Sequence, residues 1–185
     1  MNSKNKSFTL IELLVVISII GLLASIVLVG IGNARKKARD ARRLQEIKQI
    51  VLALQLYYAK YEKFPGPTSS YGESESTCGG WDTSSRDNDR DGRYFIEPLE
   101  TDSLMAQVPR DPINTTGACT TGFTYRYYRY NAGSYGCDAS RGAYFVLGIN
   151  DMETSRRPYP ASPGWRCPSR NWQNEFDWVI GQFEN

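Results

Sequence analysis

The chain of 185 residues contains no histidine. That removes Ser-His and Cys-His nucleophile pairs, histidine proton shuttles and imidazole metal ligands. A histidine-dependent hydrolase is excluded. Walker loops and GxSxG motifs are also missing, so the usual signs of nucleotide hydrolysis and of a serine nucleophile on a tight strand-to-helix turn are not there. We read the chain as non-enzymatic. No proline precedes Pro65, so nothing of that kind interrupts a helix in the N-terminal third. No lysine follows Lys63, and no CxxC pair occurs among the four cysteines, Cys78, Cys119, Cys137 and Cys167. An even cysteine count in a loop-rich region reads as disulfides made outside the cytoplasm rather than as a zinc site, and three pairings remain open.

The net charge of +2 hides a division. Residues 1–63 carry 11 basic and 4 acidic side chains, whereas residues 64–185 carry 11 arginines and 16 acidic side chains. Residues 8–31, FTLIELLVVISIIGLLASIVLVGI, hold one charge, Glu12. At 1.5 Å per residue such a run exceeds the roughly 30 Å hydrocarbon layer of a bilayer, and it is read as a membrane-spanning helix. A cleavable secretory signal is the competing reading, since Lys4 and Lys6 give a basic start. Against it, the run is longer than the usual apolar core of such signals, and Asn33-Ala34-Arg35-Lys36-Lys37 follows in place of a small-residue cut site. A carboxylate inside a spanning helix costs about 2.5–3.5 kcal/mol on insertion scales and normally has a partner. The apolar run offers no lysine or arginine, so the partner of Glu12 is expected from elsewhere.

Lys4-Asn5-Lys6-Ser7 followed by Phe8-Thr9-Leu10-Ile11-Glu12-Leu13-Leu14-Val15-Val16 resembles the class III signal of type IV pilins and type II secretion pseudopilins. The resemblance implies that a membrane-embedded prepilin peptidase cuts between Ser7 and Phe8 and methylates the new terminus. It also implies that Glu12 pairs with the corresponding amine of a neighbouring subunit during filament assembly. The family usually has glycine before the cut; Ser7 stands there in this chain. Further implied partners are other copies of the chain in a homo-oligomeric filament, an assembly platform with its ATPase, and inner-membrane lipid before assembly. The implied location is a single-pass inner-membrane protein with an extracytoplasmic head, then an extracellular or periplasmic filament.

Beyond the span lie Arg35, Lys36, Lys37, Arg39, Arg42 and Arg43. Counting positives alone would put that side in the cytoplasm, but the disulfide argument and the resemblance point the other way. The basic run is expected to meet acidic surfaces of neighbouring subunits or anionic headgroups, or to form a solvated helix face. Leu44, Ile47, Ile50, Val51, Leu54, Tyr58 and Tyr61 recur at three- and four-residue spacing, the stripe of an amphipathic helix. One helix over residues 8–61, on the order of 80 Å long, is therefore expected. Gly21, Gly30 and Gly32 are its cheapest bending points, and Phe64-Pro65 ends it. The expected divisions are a leader over 1–7, a membrane or filament-core helix over 8–31, an amphipathic half over 32–63 and a disulfide-containing head over 64–185.

In the head, residues 66–80 read as a surface loop. Asp87-Asn88-Asp89-Arg90-Asp91-Gly92 has the front half of a calcium loop, without the glutamate that would complete an EF-hand. Calcium held by Asp87, Asp89 and Asp91, with the Arg93 carbonyl and Glu97, is one reading; a turn neutralised by Arg86, Arg90 and Arg93 is the other. Residues 98–107 suit a short helix, and residues 123–130, 142–149 and 176–180 have strand composition. A long helix packed on a small antiparallel sheet, an α+β fold, follows. The run Tyr57-Tyr58-Ala59-Lys60-Tyr61-Glu62-Lys63-Phe64-Pro65 and Val108-Pro109-Arg110-Asp111-Pro112 resemble G-type major pseudopilins, whose heads bind calcium. Thr124-Tyr125-Arg126-Tyr127-Tyr128-Arg129-Tyr130 interleaves arginine with aromatics, a pattern that could stack on nucleic acid bases. The net acidic head speaks against nucleic acid as a partner. Asn114-Thr115-Thr116 fits a glycan acceptor. Alternatives to the filament subunit are a minor pilin with an adhesive or DNA-binding head and an unprocessed membrane-anchored ectodomain.

Overall fold

The computed structural model describes residues 9–66, 80–85, 95–115 and 121–185, without the side chains of residues 27–29. One helix, α1 (Leu10–Tyr61), occupies the N-terminal third. Gly21, Gly30 and Gly32 all lie within it, so the glycines do not break the helix. Its exit is made by Glu62, which adopts a left-handed φ of 54° while its N–H bonds the Tyr58 carbonyl at 2.7 Å. That is the cap geometry usually given to glycine. The Phe64 N–H then donates to the Glu184 carboxylate at 2.8 Å, turning the chain away ahead of Pro65.

The chain divides into two compact units, residues 1–38 and 39–185. In the second unit, β1 (Asp82–Thr83), α2 (Pro98–Thr101), β2 (Tyr125–Tyr130), β3 (Tyr144–Ile149), β4 (Arg166–Cys167), β5 (Arg170–Asn171) and β6 (Trp178–Phe183) follow in order. An antiparallel sheet has the order β1-β2-β3-β6, and β4 pairs with β5 in a separate hairpin. Strands β2 and β3 lie within the segments expected from composition, while β6 starts inside the third and runs on to Phe183, three residues past it. The two-residue β1 and the β4–β5 hairpin carry too little pattern to be read in advance. Only the first turn of the helix expected over 98–107 forms, as α2.

Strand β3 is buried along its whole length, as a central strand covered on both faces must be. Phe145, Leu147 and Ile149 join Ile47, Ile50 and Leu54 of α1, together with Tyr125 and Tyr127, in one core. Tyr144 and Val146 face a second core with Trp81, Tyr130, Trp172, Phe176 and the cysteines Cys137 and Cys167. The α1 stripe thus holds at Ile47, Ile50 and Leu54, while Leu44, Val51 and Tyr58 are half-buried at its margin. Tyr61 is on the outside, with its hydroxyl donating to Asp102 at 3.0 Å.

The second core is closed by a disulfide between Cys137 and Cys167, which ties the turn before β3 to the β4 hairpin. Cys78 and Cys119 lie outside the described residues. Gly148 permits close packing here: a Cβ on it would sit 2.4 Å from the Phe176 ring.

Candidate functional site

Two places in α1 concentrate the chemistry. The first is the start of the helix. Thr9 caps it: the Glu12 N–H donates to the Thr9 hydroxyl oxygen at 3.3 Å. The Thr9 N–H and the Thr9 hydroxyl both donate to the Glu12 carboxylate at 2.8 Å. This reciprocal arrangement is a capping box, and its T-x-x-E signature was present at Thr9 and Glu12. Sequence reasoning, occupied with the cost of the charge, missed it. Glu12 is therefore not without partners inside its own chain. Its hydrogen-bonding needs are met, but no cation faces it among the described residues.

The described side chains from Leu10 to Ile26 are exposed, with Leu10 82% accessible, and the helix is long and apolar enough to cross a membrane. Its hydroxyl groups are satisfied internally, Ser18 donating to the Leu14 carbonyl and Ser25 to that of Leu22, each at 2.7 Å. Lipid supplies no hydrogen-bond partners, so such internal bonds are what a spanning segment needs. Ser7 and Phe8, where processing is expected, lie outside the described residues.

The second place is the cation-rich turn where α1 enters the 39–185 unit. Sequence reasoning expected Arg39, Arg42 and Arg43 to be solvated or directed at partners; the fold turns Arg43 inward and half-buries Arg39, while Arg42 stays exposed. Arg43 is fully buried. It bonds Asp111 through two nitrogens at 2.6 and 3.0 Å, Asp40 at 2.7 Å and Glu153 at 2.9 Å. Arg39 adds a forked pair to Glu153 at 2.5 and 2.7 Å. Asp40 also accepts from the Thr154 N–H and hydroxyl at 2.9 and 2.7 Å. Burial alone would lower the Arg43 pKa, but the bonds to Asp111, Glu153 and Asp40 raise it. The Arg39 hydrogen bond, aided by Arg43 and opposed by burial, holds the Glu153 carboxyl down to about 2. Asp111 belongs to the VPRDP segment, so that motif acquires a physical role: it brings a carboxylate under the helix. Beside it, Arg42 pairs with Glu46 at 2.7 Å, and the buried Tyr125 hydroxyl donates to Glu46 at 2.5 Å.

The arginine–tyrosine strand is likewise committed within the fold. Arg126 is 3% exposed, lying over Trp81 at 4.6 Å and Phe176 at 5.2 Å. Burial lowers its pKa to about 10. Arg129 pairs with Glu184 at 2.7 Å, and the Tyr127 hydroxyl donates to the Pro65 carbonyl at 2.8 Å. Asp87, Asp89, Asp91 and Arg93 of the expected calcium loop lie outside the described residues. The last expected ligand, Glu97, stands at the start of α2, where its carbonyl accepts from Glu100 and Thr101 at 2.9 and 3.0 Å. Among the described residues, no group of three or more acidic or cysteine side chains is placed to hold a metal.

A capped apolar helix running on into a packed small antiparallel sheet defines a pilin-like α+β protein. Residues 2–28 match the family described as "Prokaryotic N-terminal methylation motif". The chain is similar to proteins named "Fimbrial protein" from Neisseria meningitidis serogroup B (strain ATCC BAA-335 / MC58) and serogroup A / serotype 4A (strain DSM 15465 / Z2491). Each is 32% identical over 77 residues, covering 42% of this chain and 45% of the relative. The chain thus matches less than half the length of these curated relatives. No solved structure matches it. Motif, relatives and fold together support the type IV pilin family for this chain.

Proposed function

We propose that the chain is a structural subunit of a type IV pilus-like or type II secretion pseudopilus filament. On this reading prepilin peptidase removes residues 1–7, the segment from Phe8 holds the protein in the inner membrane, and a platform with its ATPase draws it into the fibre. The G-type likeness of the helix exit and of VPRDP favours the pseudopilus form. The observation that carries the proposal is Glu12: a carboxylate in an exposed apolar helix, hydrogen-bonded to Thr9 yet facing no described cation. Cleavage before Phe8 would create a positive amine. On a neighbouring copy that amine would balance the charge that Thr9 leaves uncompensated. At about 4 Å and an effective dielectric near 20, such a pair attracts by about 4 kcal/mol.

The test is Glu12→Gln in cells carrying the maturation and assembly machinery. The variant should still insert in the membrane and lose its leader but give no sheared filaments. Filaments at wild-type yield would refute the pairing. Calcium at Asp87, Asp89 and Asp91 remains part of the proposal on the strength of their alternate spacing. A melting temperature unchanged by a calcium chelator would remove it.

A further inference from the structure

Six cations lie between residues 35 and 43 of α1, just past its apolar segment, and three of them are paired among the described residues. Arg39 and Arg43 are taken by Glu153, Asp40 and Asp111, and Arg42 by Glu46. Arg35, Lys36 and Lys37 are exposed, and none of them has an ion-pair partner among the described residues. Their place along the helix is specific. Counting from Ile31 at 1.5 Å per residue, Arg35 lies about 6 Å and Lys37 about 9 Å past the end of the apolar run. The headgroup layer on each side of the hydrocarbon is about 5–7 Å thick. Long basic side chains also reach back toward it from slightly beyond. Successive residues are turned by about 100°, so the three cations fan over roughly 200° of the helix circumference.

We propose that Arg35, Lys36 and Lys37 form a binding collar for the phosphate groups of anionic lipids, on the side of the membrane where α1 leaves it. The collar rests on the membrane-anchored reading of residues 8–31 and does not depend on filament assembly. It gives a use to charges that the positive-inside bias would otherwise disfavour on that side. Each cation close to an anionic surface strengthens its attraction about fivefold at moderate ionic strength, and the effect fades within a Debye length. The collar therefore retains unassembled protein in membrane rich in anionic lipid and is screened by salt.

The experiment uses the full-length chain reconstituted in phosphatidylcholine bilayers, where no assembly machinery is present. Electron paramagnetic resonance compares spin-labelled phosphatidylglycerol with spin-labelled phosphatidylcholine in the layer of lipid bound to protein. The wild type should hold phosphatidylglycerol about fivefold more strongly at low salt. The preference should fall toward unity in the triple variant Arg35→Gln, Lys36→Gln, Lys37→Gln, and in wild type at high salt. It should persist in Lys4→Gln, Lys6→Gln, which alters only the leader. Equal retention of both lipids by wild type would overturn the proposal, as would a preference that survives the triple variant. Carbodiimide cross-linking of the Lys36 or Lys37 amine to a carboxylate of a second copy in these bilayers would also overturn it, in favour of a protein partner.

Discussion

The Thr9 hydroxyl donates to the Glu12 carboxylate at 2.8 Å, so the one acid of the apolar helix also caps that helix. Capping and charge pairing are separable. Glutamine serves at the Glu position of a capping box, so Glu12→Gln preserves the cap and removes only the charge. Thr9→Ala does the reverse. It should loosen the first turn by about 1 kcal/mol, seen as faster amide exchange at the helix start, while filament yield stays near wild type. If Thr9→Ala abolished filaments as fully as Glu12→Gln, the role of Glu12 would be the cap.

Arg43 is the centre of the ionic cluster that fastens α1 within the 39–185 unit. Replacing it with methionine leaves Asp40, Asp111 and Glu153 crowded around an apolar side chain. Removing one partner from a buried ion pair costs about 3–5 kcal/mol, which should appear as a lower urea midpoint for detergent-solubilised protein. Arg39→Gln should cost about 1 kcal/mol, because Arg39 is one-third exposed and water screens its pair. Equal losses in the two variants would contradict the ranking.

Acid should undo the same cluster. Glu153 is held down to about 2 from an ordinary 4.5, so the unfolded chain takes up this proton at higher pH than the folded one. The stability it contributes is complete above about pH 5 and is lost as pH falls from 4.5 toward 2, up to about 3 kcal/mol in all. Denaturation midpoints measured across that range should fall steeply for wild type and less steeply for Glu153→Gln. Parallel curves would show that Glu153 does not couple to folding.

The elements with long, repeated patterns were legible in the residues. The apolar run with Glu12, the Ile47–Ile50–Leu54 stripe, the arginine–tyrosine interleaving of β2 and the unbroken apolar run of β3 each leave a local trace that physics interprets. The ionic cluster leaves none. Arg43 meets Asp111 and Glu153 across separations of 68 and 110 residues, and an arginine destined for the interior looks in sequence like any other in a basic run. The place of Arg126 was illegible for the same reason: its packing on Trp81 and Phe176 joins three distant segments. The Thr9–Glu12 cap was local and could have been found, had the carboxylate been read for its hydrogen bonds as well as its charge. Of the three cysteine pairings, the Cys137–Cys167 bond leaves Cys78 and Cys119 as the remaining couple within the chain.

The central claim is that cleavage before Phe8 supplies the cation that Glu12 lacks. Intact mass of protein purified from cells with a working prepilin peptidase tests it most directly. The account predicts loss of the segment from Met1 to Ser7 and the addition of one methyl group to the Phe8 amine. A mass that still includes those residues would contradict it and leave a membrane-anchored ectodomain in place of a filament subunit.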